Sequence, residues 1–327
     1  MPLPIPAILG ILSDNLKKRG SVLPLSKKAA TGWAQGLNIP RTGKTILYTG
    51  HMYQLIPAID AMSGQMAMFE NSFITKFFGI GRFFNKFINL SFFMALTASA
   101  EKKREFNNVL RQIAQLLQNA DIEFGYLYEQ EMYSGALIYD QGLDEILEGH
   151  IKKVCDIFKR NNVQKIITVD PHTTHMLRHV FPKFVPDYNI EVQSYLEVLA
   201  DKGLTPDSML DKEEITIHDS CVYARYENMV DAHRDLLNKA GVKINEPELS
   251  GKSTHCCGGP IEALFPAEAH RIAKTRCDHL QSASNKAVAM CPICLVNLRK
   301  AAADTDLQVT DISDILMRAY NKEKISS

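Results

Sequence analysis

The chain has 327 residues, which is enough for two domains with large cores, and its 37 basic and 37 acidic residues give a formal net charge of zero. That balance excludes an overall electrostatic field for nucleic acid or for an anionic membrane surface. The apolar content of 46% is typical of a soluble protein. Seven cysteines, an odd number without a recognisable secretion signal, favour a reducing compartment over a disulfide framework.

Residues 1–40 are predicted to form an N-terminal arm with a short helix around residues 7–19. Three of the first six residues are prolines. The apolar stretch from Ile8 to Leu12 is short and has no basic residues before it, so it is a poor signal peptide. The arm is expected either to pack on its own chain or to dock on a partner subunit.

Residues 41–204 are predicted to form the first of two α/β domains. Lys165–Val169 has the pattern of a buried strand, and Ile146–Lys159 has the pattern of the helix before it. Alternation of strands and helices predicts a mostly parallel sheet with helices on its faces. In such folds, functional sites lie outside the carboxyl ends of the strands.

An insertion of about residues 62–108 interrupts this first domain. It contains nine phenylalanines from Phe69 to Phe93, interleaved with Lys76, Arg82 and Lys86. The uncharged run from Phe87 to Ala100 is too short to span a bilayer. We expect either a helical lid packed on the first domain or a surface for a membrane-bound partner or the membrane interface. An amphipathic helix over Glu101–Asn119 is predicted to return the chain to the domain.

Residues 205–327 are predicted to form the second domain, with helices over Met229–Ala240 and Ala267–Asn285 and a late edge strand at Val309–Asp311. Gly241 is expected to cap the first of these helices. Five of the seven cysteines fall in this domain in one pattern, namely Cys221, the pair Cys256 and Cys257, and the C-x-x-C of Cys291 and Cys294.

The chemistry of thiolates explains why such a pattern points to a metal. Thiolates are soft ligands that select zinc or iron–sulfur clusters. The backbone must bend sharply to aim both Cys256 and Cys257 at one object, and Gly258 and Gly259 permit that bend. Cys294 is expected at a helix N-terminus, where free N–H groups favour an anionic thiolate.

Four interpretations of the cysteines compete. An iron–sulfur centre uses all five. A structural zinc site needs only four thiolates and leaves one unused. A thioredoxin-like C-x-x-C leaves the other three unexplained, and disulfides are disfavoured by the odd cysteine count.

The motifs His218-Asp219-Ser220-Cys221, Cys256-Cys257-Gly258-Gly259 and Cys291-Pro292-Ile293-Cys294 resemble the CCG cysteine-rich domain of heterodisulfide reductase subunits B and D. Related domains occur in iron–sulfur subunits of lactate and glycolate oxidases. The resemblance implies a Rossmann-like fold and one non-cubane [4Fe-4S] cluster bound by the five cysteines and Gly258. In some relatives the domain binds zinc, so a non-redox zinc-binding scaffold or assembly protein is the alternative.

The first domain repeats the second without its cysteines. His51 aligns with Cys221, Tyr133-Ser134-Gly135 with Cys256-Cys257-Gly258, and Asp170 with Cys291. The sequence thus predicts two tandem Rossmann-like units, the first a degenerate CCG-like domain.

Two histidines adjoin the motifs and are candidate catalytic residues. His218 precedes Cys221 by three positions and His255 is next to Cys256, so each is expected to donate a proton or to hydrogen-bond a sulfur. A satisfied structural histidine is the alternative for each. His51, Asp170, His172 and His175 of the first unit are expected to be polar remnants at the domain interface rather than a replacement metal site.

The predicted function is that of an iron–sulfur redox subunit of a heterodisulfide reductase-like complex, which either reduces a disulfide or links to a quinone-type pool. A single cluster needs an electron partner. A ferredoxin-type iron–sulfur protein, a flavoprotein or a membrane cytochrome subunit is expected, and nucleic acid is not. The expected location is cytoplasmic or peripheral at the inner face of the membrane, through residues 62–108.

Overall fold

Two parallel β-sheets organise the chain. The computed structural model describes residues 5–23, 25–69 and 98–321. Within these ranges the two sheets have three and four strands, and every strand pairing is parallel. The α/β class with mostly parallel sheets, predicted from the alternating pattern, is therefore confirmed.

The first sheet contains β1 (Thr45–Tyr48), β2 (Lys165–Thr168) and β3 (Glu191–Ser194), with β2 in the centre. The facing residues in the middle of β1 and β2 are apolar, as in the pairing of Ile46 with Ile166. The described helices of this half are α1 (Ile5–Arg19), α2 (Lys27–Thr31), α3 (Met52–Phe69), α4 (Ala100–Asn119), α5 (Ala136–Asp140), α6 (Asp144–Arg160), α7 (Pro171–His175), α8 (Phe181–Phe184) and α9 (Tyr195–Asp201).

The second sheet contains β4 (Glu214–His218), β5 (Lys243–Ile244), β6 (Lys286–Ala289) and β7 (Gln308–Asp311), in the order β5-β4-β6-β7. Its helices are α10 (Ala232–Lys239), α11 (Pro266–Ala283), α12 (Pro292–Ala301) and α13 (Ile312–Ala319). One π-helical turn lies in each half, at Met176–Val180 and Val222–Tyr226.

The two sheets share a strand order. β1-β2-β3 corresponds to β4-β6-β7, and β5 is an addition at the edge of the second sheet. Gly135 and Gly258 both have positive φ, at 89° and 77°. Asp170 and Cys291 occupy the N-cap positions of α7 and α12. The residues that the sequence alignment pairs therefore occupy equivalent places, while the domain limits at 204 and 205 stay a prediction.

The N-terminal arm packs on its own chain. Helix α1 contacts α6, and Trp33 is fully buried, with its carbonyl oxygen accepting a hydrogen bond of 2.8 Å from Arg111. The described residues of the arm thus pack on their own chain, which is the first of the two expectations for it.

Most predicted elements are confirmed to within a few residues, including the helix around 7–19 and the edge strand β7. The helix predicted at Met229 begins later, at Ala232. Asn228 has a φ of 53°, and the residues from this turn to Asp231 are not helical. Gly241, with a φ of 79°, follows the helix as expected of a residue after the C-cap.

The predicted insertion at 62–108 lies largely outside the described residues. Its two flanks are described and both are helical, as the last part of α3 and the first part of α4, which pack against each other. Of the helices that the structure describes, none combines the length and apolar character needed to cross a bilayer.

Candidate metal centre

Three chain segments carry the five patterned cysteines to one edge of the second sheet. Cys221 follows β4 and Cys291 follows β6, two adjacent parallel strands that pair His218 with Ala289. Because parallel strands end at the same edge, the two cysteines lie side by side. The third segment, a loop between β5 and α11, supplies Cys256 and Cys257.

A buried carboxylate holds that loop against β4. Asp219 accepts hydrogen bonds from the backbone N–H of Gly251 at 2.7 Å and from Arg234 at 2.7 Å, and its carbonyl oxygen accepts one of 2.9 Å from Thr254. Burial opposes ionisation, but the hydrogen bonds from Arg234 and His233 hold the pKa of Asp219 well below its usual value. The ionised carboxylate thus fixes the chain just before Cys256.

Cys291 and Cys294 begin helix α12. Cys291 is the N-cap residue, Pro292 is the first helical residue, and Cys294 follows in the first turn. Free N–H groups and the positive end of the helix dipole favour negative charge at this place. The predicted position of Cys294 at a helix N-terminus is confirmed.

The sulfur atoms contact one another. The Sγ atoms of Cys257 and Cys294 are 3.1 Å apart. Hydrogen bonds from Cys221 and Cys257 lower the pKa of the Cys256 thiol, and the Gly258 N–H adds a contact of 3.3 Å. Neighbouring thiols of the five are thus close enough to hydrogen-bond one another, and a bound cation would displace their protons.

In the part of the chain that the structure describes, the five cysteines differ in their exposure to solvent. Cys257, Cys291 and Cys294 are buried, whereas Cys221 and Cys256 are partly exposed. A reactant or an electron partner would approach from the side of Cys221 and Cys256.

His218 points one ring nitrogen at the sulfurs. Its Nδ1 accepts a hydrogen bond of 3.1 Å from Nε of the buried Arg276, so Nε2 carries the proton of the neutral ring. A ring nitrogen of His218 lies within 4.8 Å of the Sγ atoms of Cys257 and Cys294, and Nε2 has no hydrogen-bond partner among the described residues. Burial, helped by Arg276, lowers the pKa of His218 to about 3. The ring is therefore a neutral donor directed at the sulfurs, and its tautomer makes it a poor metal ligand.

A histidine from the first half reaches the same site. His172 hydrogen-bonds Cys291, and its Nδ1 lies 2.9 Å from Oδ2 of Asp140. Burial disfavours the charged ring, yet Asp140 and Cys291 together hold the pKa of His172 well above its usual value. Burial likewise opposes the Cys291 thiolate, but the hydrogen bonds from Cys294 and His172 lower the pKa of Cys291.

The remaining candidate residues lie at the edge of the group of five cysteines or away from it. His255 contacts the carbonyl oxygen of Cys256 at 3.0 Å and packs edge-on against His279, so its catalytic role stays a prediction. Cys155 and Cys277 are buried in α6 and α11, apart from the group, and Cys277 donates to the carbonyl oxygen of Leu298 at 3.4 Å.

Among the described residues, the equivalent edge of the first sheet holds no cysteine. His51 replaces Cys221, and its Nε2 lies 3.8 Å from Glu131, while Asp170 caps α7. Burial lowers the pKa of His51 to about 4 and raises that of Asp170 to about 7, so burial disfavours the charged form of each. Among the described residues, His51 and Asp170 do not lie in a group with metal-ligand spacing.

Comparison with known proteins agrees with this geometry. Residues 215–299 match the family model described as the cysteine-rich domain, CCG. This part of the chain is therefore similar to the cysteine-rich domain, CCG, as the motifs suggested.

Three relatives extend the similarity beyond that domain. "Probable iron-sulfur-binding oxidoreductase FadF" of Bacillus subtilis (strain 168) is 29% identical over 63% of this chain and 30% of its own length. "Probable membrane-anchored ferredoxin" of Chromohalobacter salexigens is 27% identical over 63% of this chain and 32% of its own. "EtfAB:quinone oxidoreductase" of Syntrophomonas wolfei subsp. wolfei is 28% identical over 65% of this chain and 32% of its own. The matched region spans about a third of the length of these relatives.

Proposed function

We propose that this chain is an electron-transferring module of an iron–sulfur oxidoreductase. Its cluster would be held by Cys221, Cys256, Cys257, Cys291 and Cys294. The observation that carries the proposal is the convergence of five thiols, from three separate segments, at one edge of one sheet. The names of the relatives support the iron–sulfur interpretation over a zinc scaffold.

The surroundings of the sulfurs fit such a group. The five donors are all soft. A Cβ atom on Gly259 would lie 3.3 Å from the Cys257 sulfur and 2.3 Å from Ile293, so only glycine lets the loop approach this closely. The buried Nε2–H of His218 has no hydrogen-bond partner in the described parts of the chain, and a bridging or ligand sulfur would supply an acceptor.

The protein residues have distinct tasks in this proposal. An iron–sulfur cluster supplies one-electron transfer at a potential that its hydrogen bonds and burial set. His218 and His172 donate hydrogen bonds to the sulfurs from two sides, and Arg276 and Asp140 fix the orientation of these rings. The partly exposed Cys221 and Cys256 form the side from which electrons enter or leave.

Finer details of the function belong to the same proposal. We propose one cluster of the non-cubane [4Fe-4S] type, as the resemblance to heterodisulfide reductase subunits implies, with a disulfide or a quinone-linked chain as the source or sink of electrons. The electron partner would be a ferredoxin-type iron–sulfur protein, a flavoprotein or a membrane cytochrome. One relative is named for a quinone and another for a membrane anchor, which favours a quinone-linked partner.

Metal analysis of anaerobically purified protein tests the proposal. We expect about four irons with matching sulfide per chain and an iron–sulfur EPR signal. Cys291→Ser should lose the cluster, whereas Cys277→Ser should keep it, since Cys277 is an equally buried thiol outside the group. Stoichiometric zinc without iron or sulfide would replace this function with the zinc-binding scaffold.

We further propose that residues 62–108 dock a membrane-associated partner. Nine phenylalanines between Phe69 and Phe93 exceed what an added helical pair is expected to bury against one small domain. Deleting residues 65–100 should leave the metal centre loaded while abolishing co-purification with the complex. If the deletion unfolds the first domain, or leaves partner and membrane association unchanged, the insertion belongs to the core.

A further inference from the structure

A second group of ligand-type side chains lies on the surface, separate from the cysteines. It consists of His175, His179 and Glu227, whose ligand atoms all lie within 4.8 Å of one another. His175 Nδ1 is 2.8 Å from Oε1 of Glu227, and His179 Nε2 is 3.3 Å from Oε2. The two imidazole rings are 5.2 Å apart. Two imidazole nitrogens and one carboxylate thus meet in a single small volume.

We propose that His175, His179 and Glu227 form a divalent-cation site of the zinc class. Two histidines separated by three residues, with a carboxylate from another segment, are a ligand set that zinc and similar borderline metals accept. The three protein ligands leave at least one position for water. This position faces solvent, because the His179 side chain is 49% exposed while that of Glu227 is only 1% exposed.

The carboxylate is held ready by its neighbours. Arg178 contacts Oε2 of Glu227 at 3.2 Å, but its other groups bind Glu197 at 2.5 Å and the carbonyl oxygen of Val192 at 2.9 Å. Because its other groups bind elsewhere, Arg178 contacts only Oε2 of Glu227. The second carboxylate oxygen, Oε1, therefore stays directed at His175. Hydrogen bonds of this kind to a ligating carboxylate are typical around bound metals.

The position of the group suggests what a bound cation would do. His175 and His179 lie at the start and near the end of the π-helical turn that follows α7, and Glu227 ends the π-helical turn that follows Cys221. π-Helical turns are rare in proteins overall, but those that do occur are often found at functional sites. A cation here would join the segment after β2 of the first sheet to the segment after β4 of the second. It would therefore clamp the two halves together beside the cysteines.

Zinc titration of the full-length chain, purified with its cysteine centre loaded, tests this site. Isothermal calorimetry should show one zinc equivalent that is lost, or weakened at least tenfold, in His179→Gln and in Glu227→Gln. The matched control is His270→Gln, because His270 is also exposed but lies on α11, outside the group. Zinc should also raise the melting temperature of the wild type and of His270→Gln, but not that of His179→Gln.

The same comparison in the Cys291→Ser background separates this site from the cysteine centre. In the Cys291→Ser background, the chain with His179 should still bind one zinc equivalent more than the chain with His179→Gln. The reason is that the ligand set of His175, His179 and Glu227 contains no sulfur. Equal zinc binding with and without His179, in either background, would overturn the proposal and leave Glu227 as the acceptor of an ion-pair network. Neither result depends on whether the cysteines hold iron.

Discussion

Tyr53 and Tyr223 make reciprocal hydrogen bonds between the two halves of the chain. Tyr53 donates to Oδ2 of Asp311 at 2.8 Å, and the Tyr223 hydroxyl lies 2.8 Å from Oγ of Ser194. Ser194 and Asp311 end β3 and β7 and cap the helices that follow. Each tyrosine thus belongs to one half of the chain, and its hydroxyl hydrogen-bonds the N-cap residue of a helix in the other half. The carboxyl edges of the two sheets face each other as a result, and the cysteines lie where these edges meet.

Replacing Tyr53 by Phe should destabilise the chain. The change leaves the buried Asp311 with an unpaired oxygen, at a cost of about 1–3 kcal/mol in the free energy of unfolding. Burial raises the pKa of Asp311 to about 6, against the lowering effect of the Tyr53 hydrogen bond. The loss should therefore be larger at pH 8, where the carboxylate is ionised, than at pH 5. Urea unfolding at both pH values measures it.

Tyr195→Phe is the matched control for this change. Tyr195 is fully buried in the same region, but its hydroxyl has no hydrogen-bond partner in the described protein. Its removal should leave the stability unchanged or raise it slightly. Equal losses for the two variants would mean that the hydroxyl of Tyr53 contributes nothing specific.

His172 should tune the metal centre from the other half of the chain. His172→Gln removes the ring that Asp140 orients toward Cys291, and a ligand sulfur that loses a hydrogen bond favours the oxidised cluster. We expect a more negative reduction potential, with a shift on the order of 59 mV, the equivalent of a tenfold change for one electron. Redox titration followed by EPR measures the shift.

Asp140→Asn should act in the same direction with a smaller effect, because the ring remains but its orienting charge is gone. Metal affinity provides a second measurement, since loss of such a partner costs about 10–100-fold. A potential and an affinity equal to those of the wild type in both variants would restrict His172 to a packing role.

A buried glutamate should make stability fall as the pH rises. Burial raises the pKa of Glu131 to about 8, above its usual value of 4.5, although hydrogen bonds from Thr49 oppose the rise. The folded chain therefore holds this proton more tightly than the unfolded chain, and its contribution to stability is lost between pH 4.5 and about 8.

Glu131→Gln should remove this part of the pH dependence, because glutamine stays neutral. Relative to the wild type, the variant should gain stability between pH 5 and pH 8.5 in urea unfolding. Asp170 and Asp311 also titrate in this interval, so the test is the difference between the two curves. If the difference in the free energy of unfolding between Glu131→Gln and the wild type does not change with pH, Glu131 is ionised in the folded protein.

The convergence of the five cysteines could be predicted almost completely from the sequence, because they occur in short motifs. Cysteine spacing and the double glycine indicated a bent loop and two strand ends, and the structure brings these segments together. The parallel pairing of the strands was predictable for a similar reason, since strands that alternate with helices predict a parallel sheet.

Arg276 and the contact of His172 with Cys291 could not be found in this way. Arg276 lies within α11, where its neighbours in sequence give no sign that it faces His218. His172 reaches Cys291 only because two sheets dock through their carboxyl edges, and this docking depends on tertiary packing. The one available signal was the repeat itself, which placed His172 two residues after the counterpart of Cys291.

The final prediction concerns Gly258, the glycine on which the bend after Cys257 depends. Its φ is 77°, and a Cβ atom there would lie 2.4 Å from the carbonyl oxygen of Ala269, which is a clash with backbone. Gly258→Ala should therefore displace the loop and reduce the metal content severely. Gly142→Ala is the matched control, because Gly142 has a similar φ of 69° but nothing within 4 Å of the added carbon. That variant should cost only about 1 kcal/mol of conformational strain and keep its metal. Metal content and thermal unfolding of the two variants, measured together, separate the clash from the strain. Full metal in Gly258→Ala would show that the loop can bend without this glycine and that the close approach to α11 is not needed to aim Cys256 and Cys257.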